Sequence, residues 1–330
     1  MSDTLSRRNF LKAGLITAGA VAASGTGLAS LARAASGEPL CTLLDLSRCI
    51  GCEECVYACR EVNGRKFPEP KGPMPKMVPA ARVKIADWSS PEKREVTGRL
   101  TPYNWLYIQR ASGEYNGEPF ELNIPRRCMH CDNPPCSKLC PFGAAYQQDN
   151  GIVAISPDIC MGGAKCKAVC PWNIPERQSG VGLHLSLMPQ YAGNGVMYKC
   201  DRCFDRVAEG ELPACIEVCP ESVQEIGPKS RIIQKAKALA KETGGFIYGL
   251  NENGGTNTIY VSPVPFNLLN GSVEKGPGMP HLKQVADVMA APNRMAAALA
   301  IGPVAGIVGA VARFGLLAQN KDKEKKEENA

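Results

Sequence analysis

Aromatic residues are scarce in this chain, 6% of 330 residues, and histidine occurs three times. A chain of this length has room for one or two domain cores. With 33 glycines and 26 prolines against so few aromatics, it reads as loop-rich and built around something other than a large apolar interior. No basic stripe with interleaved aromatics occurs, so the net charge of +6, part of it in the termini, is not the footprint of a nucleic-acid binder. Also missing are a nucleophile beside a base, a paired acid and base, and a phosphate-binding glycine loop. No catalytic constellation is legible, and the chain is expected to have no catalytic residues of its own. His184 and His281 stand alone and take no role.

What the chain has in excess is cysteine. Fifteen of its sixteen cysteines fall into four motifs. The first is Cys49-x2-Cys52-x2-Cys55-x3-Cys59 and the second Cys128-x2-Cys131-x4-Cys136-x3-Cys140. The third is Cys160-x5-Cys166-x3-Cys170 and the fourth Cys200-x2-Cys203-x11-Cys215-x3-Cys219. Proline follows the last three of these, as Pro141, Pro171 and Pro220. This is ferredoxin spacing: three thiolates on a tight loop wrap one iron–sulfur cube, and the fourth, carried off by the start of a helix, ligates a neighbouring cube. Soft thiolates select iron–sulfur clusters, zinc or copper(I) over hard cations. Zinc sites favour paired Cys-x2-Cys knuckles without the x3-Cys-Pro ending. A disulfide-stapled secreted chain is the other competing reading. Dithionite bleaching separates the cluster reading from zinc, and iron content separates it from disulfides. His130, between Cys128 and Cys131, either tunes or ligates a cluster or, more plainly, hydrogen-bonds beside the sulfurs. Cys41 belongs to no motif and reads as a small buried hydrophobe.

The first residues set the compartment. Ser6-Arg7-Arg8-Asn9-Phe10-Leu11-Lys12 is a twin-arginine motif, followed by an apolar run over residues 13–31 and the small-x-small site Ala32-Arg33-Ala34. Residues 1–34 are therefore expected to be a twin-arginine signal peptide. That route exports folded proteins with cofactors already inserted, which reconciles cluster cysteines with an exported protein.

Along the body, residues 40–46 read as a buried strand leading into the first motif, and 67–79 as a proline-rich loop. Residues 104–110 read as a strand with 118–124 as its partner, and 151–155 as a strand between the second and third motifs. Residues 230–242 carry apolar positions at helical spacing, stopped by Gly244-Gly245. Residues 246–250 and 256–262 look extended, and 263–280 loop-like. The expected fold is α+β: two interleaved ferredoxin-like two-cluster units with long loop insertions, plus one C-terminal transmembrane helix. Its parts are a four-cluster domain at 35–228, a C-terminal extension at 229–292, a transmembrane anchor at 293–318 and a charged tail at 319–330. The anchor rests on the unbroken apolar run 295–312, just long enough to span a bilayer, between Arg294 and Arg313. Gly302 and Gly306 give it a small-xxx-small face. Lysines in the tail predict a cytoplasmic C-terminus below a periplasmic body.

The four motifs, with x2-x11-x3 in the last, resemble the ferredoxin-type electron-transfer (beta) subunits of respiratory oxidoreductases. That family includes the iron–sulfur subunits of formate dehydrogenases, of dimethyl sulfoxide, polysulfide and nitrate reductases, and of hydrogenase-2-type complexes. The resemblance covers residues 40–225 strongly, and a signal peptide combined with an anchor is most similar to the hydrogenase-2 (HybA) type. It implies crossed ligation in three [4Fe–4S] sets: Cys49, Cys52, Cys55 with Cys219; Cys59 with Cys200, Cys203, Cys215; and Cys128, Cys131, Cys136 with Cys170. The remainder is Cys140, Cys160 and Cys166. Here the sequence departs from the pattern, because Gly163 stands where the second ligand of the motif belongs. A [3Fe–4S] cluster, or a [4Fe–4S] cluster with a water or hydroxide ligand, is expected there.

The resemblance thus implies a non-catalytic relay. It would pass electrons between a periplasmic catalytic subunit (nickel–iron hydrogenase, or a molybdenum or tungsten enzyme) and a membrane subunit that reacts with quinone. A formate dehydrogenase or polysulfide/thiosulfate reductase beta subunit and a freestanding periplasmic polyferredoxin are the alternatives. Arg48, Lys138, Lys165, Lys167 and Arg202 are candidate cations for offsetting cluster charge.

Overall fold

The computed structural model describes residues 37–70, 74–77, 85–191, 195–291 and 295. Among them the strands are β1 Leu40–Asp45, β2 Tyr107–Tyr115, β3 Glu118–Arg126, β4 Ala145–Gln147, β5 Val153–Ile155, β6 Glu176–Gln178, β7 Val196–Tyr198, β8 Gln224–Pro228, β9 Phe246–Tyr248 and β10 Thr258–Ser262. The principal sheet has the order β8-β1-β10-β9, and three two-stranded ribbons join β2 to β3, β4 to β5 and β6 to β7.

β1 is apolar almost throughout because it is a central strand covered on both faces. It pairs antiparallel with β8 and parallel with β10. The helix Lys229–Thr243 covers one face of this sheet. Ile232, Ala236 and Ala240 recur every fourth residue on one stripe and pack with Cys41, Leu43, Ile259 and Val261. Gly244, in the left-handed region at φ 65°, ends the helix. The segment 229–285 is thus not a separate appendage, since β9 and β10 lie in the same sheet as the strand that leads into the first motif.

The expected strand at 104–110 starts later and runs longer, as β2. Its far boundary is Asn116-Gly117, both with positive φ (55° and 83°), the two-residue hairpin turn whose twist suits paired strands. The expected loop at 263–280 contains a helix, Phe266–Ser272, anchored by buried Phe266 and Leu269. The glycine-rich insertion between the third and fourth motifs holds the β6–β7 ribbon and the short helix Leu183–Leu187. Among the described residues no helix is long and apolar enough to cross a membrane. The signal peptide at 1–34, nearly all of the anchor at 293–318 and the tail at 319–330 lie outside the described residues.

Candidate electron-transfer site

Each motif is a tight loop followed by a short helix. The loops turn through left-handed residues at matching places: Gly51 and Glu53 in the first, Gly162 and Ala164 in the third, His130 in the second, Arg202 and Cys203 in the fourth. Holding non-glycine residues there costs energy and is common at sites built to bind something. The turns aim backbone N–H groups at sulfur. The amides of His130 and Arg202 point at Sγ of Cys128 and Cys200 at 3.5 and 3.4 Å, and that of Val223 at Sγ of Cys219 at 3.4 Å. At Gly51 a Cβ would come within 2.8 Å of the Asn123 side chain, which donates to the Cys49 carbonyl. A side chain there would break the brace under this loop.

The helices divide the thiols. Cys55 and Cys59 lie on Glu54–Asn63, and Cys215 begins a turn on Ala214–Glu217 that leads to Cys219. Cys136 and Cys140, and Cys166 and Cys170, are related in the same way across Pro135–Lys138 and Lys165–Ala168. A four-residue step is about 6 Å of helix, so one thiol can face one cavity and its partner the next. Cys49, Cys52, Cys55 and Cys219 line one cavity. Cys128, Cys131, Cys136 and Cys170 line a second. Cys59 lies against Cys200, Cys215 and Cys203, whose charges, after burial, push its thiol well above its ordinary value. Asn63 ties this group together, its Nδ2 standing 3.7 Å from Sγ of both Cys59 and Cys203. Cys166 has Cys160 and Cys140 as neighbours. Thiols from different motifs therefore line the same cavities. None of the sixteen cysteines is in a disulfide. Among the described residues no three histidine, cysteine or acidic side chains converge closely enough to hold a single metal ion. The thiols surround cavities rather than points.

Thiols of different groups lie within electrostatic reach of one another. Cys55 of the first is close enough to Cys215 of the second to raise its pKa, Cys200 of the second is similarly close to Cys128 of the third, and Cys166 of the last to Cys136 of the third. Burial pushes Cys136 up to about 11 and Cys170 and Cys200 up to about 12, so these thiols are neutral until a metal takes their protons' place. In the last group Gly163 is exposed, and a Cβ built on it meets nothing within 4 Å. The corner that Cys52 fills in the first motif is open here.

Of the cations proposed from sequence, Arg48, Lys138 and Lys165 are exposed. Lys167 pairs with Glu176 at 2.6 Å. Arg202 is buried but works as a clamp, donating to the carbonyls of Leu40 and Asn257 at 2.6 Å. His130 takes the plainer of its two roles. Its Nδ1 accepts from the Val153 amide at 3.0 Å, which leaves Nε2, 3.9 Å from Sγ of Cys200, to carry the proton. Burial, then the charges of Arg202, Lys199 and Arg127, holds its pKa well below the ordinary value. Cys41 is fully buried among Leu43, Ile232 and Ile259, away from the Gly163 corner. Asn63, Arg127 and Lys199 were not singled out from sequence. The available signal was position: Arg127 and Lys199 each directly precede the first cysteine of a motif, and Asn63 lies one helical turn beyond Cys59.

Two 4Fe-4S dicluster domain families match the chain, at residues 120–229 and 48–144. The probable anaerobic dimethyl sulfoxide reductase chain YnfG of Escherichia coli is 31% identical over 204 residues, covering 60% of this chain and 77% of that protein. The iron–sulfur subunit of the nitrate-inducible formate dehydrogenase of Escherichia coli is 31% identical over 227 residues, 66% of each. The hydrogenase-2 operon protein HybA of Escherichia coli O157:H7 is 28% identical over 310 residues, 81% of this chain and 83% of that protein. With thiol groupings that suit cubes and dicluster matches over both pairs of motifs, the chain carries multiple 4Fe-4S clusters and belongs to the family of ferredoxin-type iron–sulfur electron-transfer subunits of oxidoreductases.

Proposed function

We propose that the chain is an exported, membrane-anchored wire of four clusters. It would relay electrons between a catalytic subunit of the hydrogenase-2 type and a quinone-reactive membrane subunit, with no catalytic site of its own. Three [4Fe–4S] clusters would be held by Cys49, Cys52, Cys55 and Cys219; by Cys59, Cys200, Cys203 and Cys215; and by Cys128, Cys131, Cys136 and Cys170. A [3Fe–4S] or incompletely ligated cluster would be held by Cys140, Cys160 and Cys166. The observation that carries this reading is the gathering of four thiols from two motifs around each of two cavities, Cys49, Cys52 and Cys55 with Cys219, and Cys128, Cys131 and Cys136 with Cys170. Such clusters supply one-electron transfer at potentials set by charge, hydrogen bonding and exposure. The chain's own residues set thiols four residues apart on short helices and bury Cys59, Cys128, Cys200 and Cys215.

Export and anchoring rest on the twin-arginine motif, the apolar run at 295–312 and the lysines after it. A hydrogenase-2-type partner is favoured by the match to HybA, which runs over most of both chains. Formate dehydrogenase and sulfur-compound reductases remain the second reading, because relatives carrying those names match the cluster-bearing region at slightly higher identity. The test is elemental analysis of the intact complex, extracted from membranes in mild detergent through a tag on this chain. Nickel with iron supports the first reading. Molybdenum or tungsten moves the chain to the second. Recovery from the soluble fraction with iron alone points to a freestanding carrier.

A further inference from the structure

Arg127 and Lys199 occupy the same place in two motifs, directly before Cys128 and directly before Cys200. Each reaches across to the other motif's thiols. Arg127 Nη1 donates to Sγ of Cys215 at 2.8 Å, and Cys200 and Cys55 are also among its charge partners. Lys199 lines the cavity of Cys128, Cys131, Cys136 and Cys170. Both side chains are buried, at 3% and 6% exposure.

Among the described residues neither cation has a carboxylate in ion-pair contact. Lys199 Nζ donates to the carbonyls of Val153 and Cys200. Arg127 Nε and Nη2 have no hydrogen-bond partner. The nearby Asp201 is taken by Lys66 at 2.6 Å. A buried cation is tolerated only when something compensates its charge. The compensation within reach of both is sulfur, which becomes anionic only when thiolates ligate a cluster.

We propose that Arg127 and Lys199 are a crossed pair of potential-setting cations. Arg127 biases the cluster on Cys59, Cys200, Cys203 and Cys215 toward its reduced state, and Lys199 does the same for the cluster on Cys128, Cys131, Cys136 and Cys170. This rests on the cluster assignment proposed above. One electron arriving from the neighbouring cluster adds one negative charge and requires no proton. A fixed positive charge at the ligand sulfur stabilises the reduced form more than the oxidised one, so the midpoint potential rises. Both residues are positioning residues, since they act through the cluster and its ligands.

The test is a redox titration followed by electron paramagnetic resonance on the purified complex, with iron and acid-labile sulfide measured on the same samples. Arg127→Met, Arg127→Lys and Lys199→Met are compared with the wild type. Arg127→Met should lower the midpoint potential of one cluster and Lys199→Met that of a different one, at unchanged iron content, while Arg127→Lys stays near the wild type. If Arg127→Met and Lys199→Met titrate at wild-type potentials with full iron, or both shift the same cluster alone, the crossed pair is wrong. Should Arg127→Met lose its clusters, assembly of Arg127→Lys supports the need for the charge, and an unshifted Lys199→Met overturns the pair. A wild-type complex with too little iron for four clusters would instead overturn the assignment on which the pair rests.

Discussion

The indole N–H of Trp172 donates to the hydroxyl of Tyr248 at 2.8 Å, and that hydroxyl donates to the carbonyl of Lys283 at 2.7 Å. Trp172 follows Cys170-Pro171 and lines the cavity of Cys128, Cys131, Cys136 and Cys170, whereas Tyr248 closes β9. A short chain of two hydrogen bonds thus fastens a cluster loop to the segment beyond the fourth motif. Tyr248→Phe would leave a buried indole N–H and a carbonyl unpaired, at a cost of about 1–3 kcal/mol. Expected are a lower denaturation midpoint and faster iron release to a chelator, with the loss traced to this cluster. Unchanged iron release would mean that the loop is held by packing alone.

Gly163→Cys places a thiol where Cys52 stands in the first motif, at an exposed position where a Cβ meets no atom within 4 Å. The variant should fold normally, gain iron and lose any three-iron signal seen in the oxidised wild type. Persistence of that signal in the variant would show that the cluster, not the missing ligand, determines the iron count.

Cys41 should be dispensable for iron and matter for stability. Cys41→Ser buries a hydroxyl in an apolar site and should cost about 1–3 kcal/mol with cluster content unchanged. Burial raises the pKa of Cys41 from its ordinary 9.0 to about 12, because it disfavours the thiolate. The folded chain therefore keeps a proton that the unfolded chain loses above pH 9. The stability linked to this thiol is complete below pH 9 and is lost as pH rises toward about 12. Denaturant midpoints measured across that window should fall less steeply in Cys41→Ala than in the wild type.

Removing the clusters should loosen the middle of the molecule, not only silence it. Cys55, Cys59, Cys128, Cys131, Cys160, Cys166, Cys200 and Cys215 belong to the same buried set as Leu46, Trp105, Ile124 and Trp172. Chelation under conditions that oxidise the clusters should depress the thermal midpoint and near-ultraviolet circular dichroism together, because metal binding and folding are coupled in such sites. Retained near-ultraviolet signal in the iron-free chain would show a core that stands without them.

The cysteine spacings, the glycine at position 163 in place of a cysteine, and several of the elements around the motifs were legible in the sequence, because each is fixed by neighbours a few residues away. A four-residue step on a helix and a left-handed residue in a tight loop are local matters. So are the burial of β1, written as an unbroken apolar run, and the helix Lys229–Thr243, written as a repeating stripe. What only the tertiary structure decided depends on residues far apart in the chain. The hairpin of β2 and β3 extends beyond the apolar residues that announce it, since its turn at Asn116-Gly117 fixes the register through mostly polar positions. The pairing of β10 with β1 brings the segment beyond the fourth motif against the strand before the first. The roles of the charged residues changed most. Arg48, Lys138 and Lys165 look suited to offset cluster charge by nearness in sequence, yet they are exposed; Arg202 is buried but clamps backbone carbonyls, while Arg127 and Lys199 are buried with sulfur within reach. Nearness in sequence places a charge beside a motif, but only the packed fold determines whether water or sulfur surrounds it.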